Sequence, residues 1–252
     1  MAPNQLGSEL DFSVIIPAYN EEEYLPQTLE SLKHALDSLH EFTGEIILVD
    51  NQCTDGTAQI GLDFGCIVVK EAVRQIARAR NTGARAARGR HLIFLDADTH
   101  LPSATLAQAL AALQGGLVGC GGARLEFDQD HARWFAGSIL PSTWNWISQK
   151  FKLFAGCFIF CRAELFFSCG GFPESHFAGE EIVLSRKLKK EARKNGKKIM
   201  IISDPPVISS ARKLVWYNDL AILRMVLPLV GLPFFLRSQR ACRFWYDRPT
   251  KD

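Results

Sequence analysis

Short apolar segments alternate with helical segments in the first half of the chain, and this alternation limits the possible folds. Four β-rich runs occupy residues 12–16, 45–50, 66–70 and 91–96. Between and after them lie segments with helical spacing, such as the leucines at 25, 29, 32, 36 and 39. Strands that alternate with helices predict an α/β fold with a mostly parallel sheet and helices on both faces. Sheets of this kind bind ligands beyond the carboxyl ends of their strands.

Polar residues follow three of these strands where each strand ends. They are residues 19–21 after the first strand, 50–51 at the end of the second, and Asp96 and Asp98 after the fourth. In extended chain the two aspartates point to the same face, roughly 6–7 Å apart. Two carboxylates this close are expected to repel each other until a cation arrives. Two solvated loop carboxylates would be the simpler alternative.

Composition fits a globular domain with a full core, since 47% of the 252 residues are apolar and 22% are charged. The net charge of +2 conceals an asymmetry, because residues 1–183 contain 13 basic and 22 acidic residues while residues 184–252 contain 16 and 5. A basic C-terminal third suits an anionic partner such as phosphate groups or acidic lipid, or it is a solvated face with a tail. Nucleic acid is not expected, because no base-stacking platform and no recognition motif accompany these charges.

The seven cysteines show no zinc-like pairing. Cys157 and Cys161 lie in one strand-like segment, about 13 Å apart and too far for a disulfide. We therefore expect free thiols in a reducing compartment. The first residues contain no basic region followed by an apolar run, so no signal peptide is visible and a cytoplasmic location is expected.

Residues 220–237 form a long apolar stretch, interrupted by Arg224, Pro228 and Pro233. A packed helix and a helix on the membrane surface are both compatible with it, whereas a full membrane span fits worst. The basic flank makes peripheral membrane contact through residues 220–243 a possible interaction, at the inner face of the membrane.

Arginines are concentrated directly before the aspartate pair. Residues 74–90 contain six arginines, which suggests a phosphate-rich ligand nearby. Not all six can face one ligand, and we select Arg80 beside Asn81 for the site. The others are expected at the surface.

Five motifs, taken together, resemble those of family 2 glycosyltransferases, inverting nucleotide-sugar enzymes of the GT-A fold. They are VIIPAYNEEEYL (14–25), ILVDNQCTDGT (47–57), ARNTGARAARGRHLIFLDAD (79–98), GCFIFCRAELFFSCGGFPE (156–174) and GEEIVLSRKL (179–188). Each motif alone is weak, but five in the family's order at fitting spacings are specific. The resemblance implies a catalytic domain over residues 11–215, with a nucleotide-binding half at 11–100 and an acceptor-binding half at 101–215. A basic, partly apolar and helical extension would follow at 216–252.

The resemblance also assigns roles on the donor side. Four residues of the first loop would line the nucleotide pocket, namely Pro17, Ala18, Tyr19 and Glu21. Asp50 would contact the base, and Arg80 would lie near the donor phosphates or the aspartate motif. Asp96 would meet the ribose or a metal ion, and Asp98 would coordinate Mg²⁺ or Mn²⁺ at the diphosphate. Carboxylate oxygens together with phosphate oxygens are ligands that suit these cations.

On the acceptor side, the family usually has a Glu-Asp pair that supplies the base for the acceptor hydroxyl. This chain has Glu180 and Glu181, so the choice of base stays open; alternatively, both acids only favour a helix N-terminus. Arg212 would close over the diphosphate or be structural. The Gln-x-x-Arg-Trp motif of processive members is missing, which indicates transfer of a single sugar. The acceptor, whether saccharide, lipid-linked or small molecule, is not specified.

Two other interpretations of the chain compete with this one. The run LIFLDADTH resembles the nucleophile motif of haloacid-dehalogenase-type phosphatases, although His100 stands where Thr or Val is expected. A non-catalytic module that binds membranes through the basic C-terminal third is the other. Three tryptophans, Trp144, Trp146 and Trp216, would stack on a sugar or pack in the core.

Overall fold

The computed structural model describes residues 10–128, 140–212, 236–242 and 246. Its strands form one eight-stranded sheet in the order β3-β2-β1-β4-β7-β6-β8-β5. The strands are β1 (Phe12–Ala18), β2 (Gly44–Asp50), β3 (Ile67–Lys70), β4 (His91–Leu95), β5 (Thr99–His100), β6 (Val118–Phe127), β7 (Phe158–Arg162) and β8 (Lys198–Ser209). The helices are α1 (Leu25–Asp37), α2 (Thr57–Asp63), α3 (Ile76–Ala86), α4 (Ser103–Gln114), α5 (Leu140–Phe151), α6 (Ala163–Ser168) and α7 (Glu180–Lys194).

The sheet has a parallel half and a mixed half. Strands β3, β2, β1 and β4 are parallel neighbours, as the alternating pattern predicts. Strand β7 then runs antiparallel to both β4 and β6, whereas β6 pairs in parallel with β8 and β5 pairs antiparallel with β8. The α/β class is confirmed, and parallel pairings are the majority among the described strands, four against three antiparallel, as expected.

Side chains alternate across the strands, so each face of the sheet has its own core. On β1, Val14 and Ile16 pack in the cluster that contains Leu29 of α1, while Ile15 packs in the cluster that contains Leu184 of α7. A strand buried on both faces needs a continuous apolar run, and residues 12–16 supply one. Helices therefore cover both sides of the sheet and leave its edges and strand ends for ligands.

Helix α3 lies very close to the sheet at Gly83. A Cβ at this position would come within 2.4 Å of Ile15 Cγ2 and 2.9 Å of Val49 Cγ2. The absence of a side chain at Gly83 therefore lets α3 approach β1 and β2, and this places Arg80, one turn earlier in α3, next to the strand ends.

Strand β8 continues through Pro205 and Pro206, although these prolines predict a break. The register between β6 and β8 shifts between Ala123 and Leu125, and pairing resumes at Val207. A shift of this kind lets residues without an N–H pass through the strand.

The C-terminal extension is described only in part. The backbone N–H of Phe177 donates to the carbonyl of Leu236 at 2.7 Å, and Ala178, Cys242 and Tyr246 form a small buried cluster. Residues 220–235 lie outside the described residues, so their packing or membrane contact stays a prediction. In the ranges that the structure describes, no helix is long and apolar enough to cross a membrane. All seven cysteines are free thiols, as expected.

Candidate active site

A cavity of about 500 Å³ opens at the carboxyl ends of β1 and β4. Parallel pairing places the strand ends side by side, since Ala18 of β1 is opposite Asp50 of β2. Ten of the eleven site residues expected from the sequence line this cavity: Pro17, Ala18, Tyr19, Glu21, Arg80, Asp96, Asp98, Glu180, Glu181 and Arg212. They come from strand ends, helices and loops separated by up to 195 positions, from Pro17 to Arg212, and the fold brings them together.

Arg80 connects the aspartate motif to the start of α7. Its guanidinium donates to Asp96 Oδ1 at 2.8 Å, to Glu180 Oε1 at 2.8 Å and to the carbonyl of Gly156 at 3.0 Å. Burial disfavours the charged form, but the negative charges of Asp96 and Glu180 outweigh it and raise the pKa of Arg80. Arg80 therefore lies at the aspartate motif, one of the two positions that the resemblance allowed, and acts there as a fixed buried cation.

Arg212 has the same relation to the second aspartate. It forms ion pairs with Glu21 Oε2 at 2.6 Å and with Asp98 Oδ2 at 2.9 Å, and its guanidinium lies 4.3 Å from the centre of the Tyr24 ring. Burial lowers the pKa of Arg212, but the hydrogen bond to Glu21 and the charges of Asp98 and Glu21 raise it overall.

The carboxylates of Asp96 and Asp98 are therefore not two unpaired charges. Asp96 pairs with Arg80 and Asp98 pairs with Arg212, so each carboxylate has its own arginine partner. The expectation that the two carboxylates repel each other until a cation arrives was wrong. The reason is that Arg80 of α3 pairs with Asp96, while Asp98 pairs with Arg212, which follows β8 and is distant in the sequence.

The two glutamates at the start of α7 differ in their surroundings. Glu180 is 5% exposed and held by Arg80, whereas the side-chain carboxylate of Glu181 lines the cavity without an ion pair or a hydrogen bond to another described residue. Burial, followed by the negative charge of Glu180, raises the pKa of Glu181 to about 8. Of the two glutamates, Glu181 has the properties of a proton acceptor that works near neutral pH.

The donor set of the site suits a divalent cation only with help from a ligand. Among the described residues, no three His, Cys, Asp or Glu side chains form a group that could hold a metal ion. Asp98 Oδ2 is engaged by Arg212, while Asp98 Oδ1 has no partner in the described part of the chain. One or two carboxylate oxygens completed by phosphate oxygens is a usual arrangement for Mg²⁺. The residues present therefore fit Mg²⁺ or Mn²⁺ together with a diphosphate.

Of the eleven expected site residues, all of which the structure describes, Asp50 alone does not line the cavity. It is 9% exposed, and its Oδ1 accepts a hydrogen bond from the backbone N–H of Cys53 at 2.7 Å. Its neighbour Asn51 does line the cavity, and its side chain bonds the backbone of Glu71, Val73 and Gln75. A contact between Asp50 and a base therefore stays a prediction.

Several lining residues were not expected from the sequence. The carbonyl of Gly156 accepts from Arg80, and a Cβ at Gly156 would come within 3.3 Å of the Arg80 guanidinium. Leu125, Phe127 and Trp144 add an apolar wall on the β6–α5 side. Gly156 could have been noticed at the start of a family motif, whereas the apolar wall carries no local signal.

The other arginines of residues 74–90 mostly pair with acids away from the cavity, as expected. Ion pairs join Arg78 and Arg85 to Glu174, Arg88 to Glu45 and Arg90 to Asp11. Of the three tryptophans, Trp144 lines the cavity, Trp146 is exposed, and Trp216 lies outside the described residues.

Comparison with known proteins identifies the family. The model of glycosyl transferase family 2 matches residues 13–170, more than half of the chain. The chain belongs to this family. The match includes Asp50, Arg80, Asp96 and Asp98, so it leaves no support for the phosphatase interpretation.

Curated relatives of this family member match over a limited stretch. EpsJ of Bacillus subtilis (strain 168), named an uncharacterized glycosyltransferase, is 33% identical over 118 residues, which are 43% of this chain and 33% of the relative. The dolichyl-phosphate beta-glucosyltransferase of Drosophila melanogaster is 36% identical over 101 residues, 35% of this chain and 31% of the relative. The matched part thus spans about a third of the length of each relative.

Solved structures share the fold. TarS of S. aureus, determined with UDP-GlcNAc, has a TM-score of 0.62 at 20% identity and covers 81% of this chain and 59% of its own. The mannosyltransferase PcManGT of Pyrobaculum calidifontis, determined with GDP-Man and Mn²⁺, has a TM-score of 0.62 at 22% identity. The match covers 93% of this chain and 64% of PcManGT. These likenesses confirm the GT-A fold.

Proposed function

We propose that this protein is an inverting glycosyltransferase that moves one sugar from a nucleotide-diphosphate sugar to an acceptor hydroxyl, with Glu181 as the base. The observation that carries the proposal is the contrast at the start of α7. Glu180 is committed to Arg80, while Glu181 lines the cavity and has a pKa of about 8. A carboxyl group with a raised pKa in a cleft that faces a fixed charge network is a candidate for catalysis.

The chemistry needs Glu181 in its ionised form. As the acceptor oxygen attacks the anomeric carbon, its proton passes to the Glu181 carboxylate and the bond from that carbon to the diphosphate oxygen breaks. Attack from the side opposite the leaving group inverts the anomeric configuration. Because the pKa of Glu181 is about 8, only a minor fraction is ionised at pH 7, so the rate should rise with pH up to about 8.

Negative charge develops on the diphosphate as it leaves. Asp98, with Asp96 as a second candidate, would hold Mg²⁺ or Mn²⁺ at the diphosphate, where the cation stabilises this charge. Arg212 lines the same cavity beside Asp98 and adds a fixed positive charge. Pro17, Ala18, Tyr19 and Glu21 would border the nucleotide, and the apolar wall with Trp144 would face the sugar or the acceptor.

The first experiment identifies the donor. Thermal shifts are measured with UDP, GDP and other nucleoside diphosphates, each with and without Mn²⁺, because a ligand that binds the folded state raises its stability. A shift that needs both nucleotide and Mn²⁺ supports the joint site. Shifts without any dependence on Mn²⁺ would contradict the role of the metal.

The second experiment tests the base. Transfer from the donor so identified is measured for the wild type, for Glu181→Gln and for Glu164→Gln, a control that removes an exposed carboxylate on α6. Glu181→Gln should bind the donor with unchanged affinity and lose at least about a hundredfold in rate, the lower range for loss of a general base. Full transfer by Glu181→Gln would disprove the assignment. Donor binding without transfer by the wild type, across saccharide, lipid-linked and small-molecule acceptors, would favour the non-catalytic alternative.

A further inference from the structure

Helix α5 has an inner and an outer face with different characters. On the inner face, Pro141 and Trp144 line the cavity and Ser148 is buried. On the outer face, Trp146 is 58% exposed and Phe151 is 51% exposed. Large aromatic side chains are rarely left this open, so the outer face needs an explanation other than core packing.

The two exposed rings form one cluster with a lysine. The rings of Trp146 and Phe151 meet edge to face with centroids 6.5 Å apart. The Lys150 ammonium lies 4.6 Å from the Trp146 ring and 5.7 Å from the Phe151 ring. With Lys152, which is also exposed, these side chains constitute the α5 patch (Trp146, Lys150, Phe151 and Lys152).

The segment of the chain that contains the α5 patch carries charge of one sign. Residues 140–163 contain no Asp or Glu. The Lys189 ammonium of α7 donates to the carbonyl of Phe151, which joins the patch to the basic side of α7. Arg186 and Arg193 are exposed and lie three positions before and four positions after Lys189 on α7, so they share its face of the helix and belong to the same basic surface.

We infer that the α5 patch and the adjoining basic side of α7 dock on the surface of an anionic bilayer. Trp and Phe side chains enter the boundary between headgroups and acyl chains, while Lys and Arg heads stay at the lipid phosphates. Each basic residue near such a surface adds to the attraction. The residues of this surface are not those of the expected membrane contact at 220–243, and the inference does not depend on the proposed chemistry.

Two other occupants fit the α5 patch less well. A second copy of this chain, related by a two-fold axis, would bring the same lysines and arginines against each other. Single-stranded nucleic acid binds in basic grooves with exposed ring faces. Here the rings meet edge to face on the outside of a helix, and Lys150 covers them.

The test is flotation of the full chain with vesicles of phosphatidylcholine alone or with about 30% phosphatidylglycerol. Three variants are compared with the wild type: Trp146→Ser/Phe151→Ser, Lys150→Gln/Lys152→Gln, and the control Leu62→Ser/Phe64→Ser. The control removes two large apolar side chains, 54% and 38% exposed, from the α2 region. Thermal unfolding of each variant verifies that it is folded.

The wild type should partition onto the anionic vesicles and not onto phosphatidylcholine alone. Both α5 variants should lower the partition coefficient about tenfold or more, and the α2 control should leave it unchanged. A partition coefficient of Trp146→Ser/Phe151→Ser equal to the wild type would overturn the inference, even if the chain binds vesicles elsewhere. Loss of self-association or of oligonucleotide binding in that variant, with vesicle binding kept, would assign the patch to a second copy or to nucleic acid instead.

Discussion

Replacement of Glu181 by glutamine should change how the stability of the protein depends on pH. The folded state raises the pKa of Glu181 from 4.5 to about 8, so the folded protein holds this proton more tightly than the unfolded chain. This contribution to stability is fully present below pH 4.5 and is lost as pH rises toward 8. At about 1.4 kcal/mol per pKa unit, the wild type loses about 3 kcal/mol by pH 7 and about 5 kcal/mol above pH 8.

Glutamine keeps the shape of the side chain and cannot ionise, so Glu181→Gln should not lose this energy. Urea unfolding of both proteins at pH 5, 6, 7 and 8 gives the difference in their free energies of unfolding, which cancels the titration of all other groups. The difference should grow in favour of the variant by about 3–5 kcal/mol over this range. Glu30→Gln on α1 controls for the loss of one exposed carboxylate. A difference that stays constant within about 1 kcal/mol would refute both the raised pKa of Glu181 and the argument for Glu181 as the base.

Two further substitutions test how the site is held. Arg80→Met should lower the free energy of unfolding by about 3–5 kcal/mol, because Glu180 stays buried without its partner, and adding Glu180→Gln should recover part of this loss in urea unfolding. Gly83→Ala should destabilise by about 1–3 kcal/mol in the same assay, because the new Cβ would lie 2.4 Å from Ile15 Cγ2. A gain of about 1 kcal/mol, which alanine gives at an uncrowded helix position, would contradict the close approach of α3 to the sheet.

The parallel half of the sheet could be predicted because each of its strands is a local pattern. The apolar runs at residues 12–16, 45–50 and 91–96 mark strands buried on both faces, and the polar residues after them mark the ligand edge. The mixed half could not be predicted in this way. Strand β7 pairs between β4 and β6 through contacts that no short segment encodes, and β8 passes its prolines only because the register with β6 shifts there.

The composition of the site could be predicted more completely than its pairing. Ten of the expected residues line the cavity, since motif and strand-end position identify them. The partners of the arginines are different, because Arg80 meets Glu180 across 100 positions and Arg212 meets Glu21 across 191. From residue types alone, any acidic side chain could be the partner of any arginine. The packed fold determines which carboxylate has no arginine partner. At the start of α7, that carboxylate is Glu181.

The contacts of Arg80 also set an order in which the site can be completed. Its partners Asp96, Gly156 and Glu180 lie 16, 76 and 100 positions further along the chain. During synthesis the first half of the sheet therefore leaves the ribosome with this guanidinium still lacking two of its three acceptors. Strand β7 and helix α7 must be synthesised and folded before the Arg80 guanidinium can be buried. The site is therefore completed late, although its two aspartates are synthesised early. Residues 11–100 are thus not a self-contained unit, because Glu180 and Gly156 complete the contacts of Arg80.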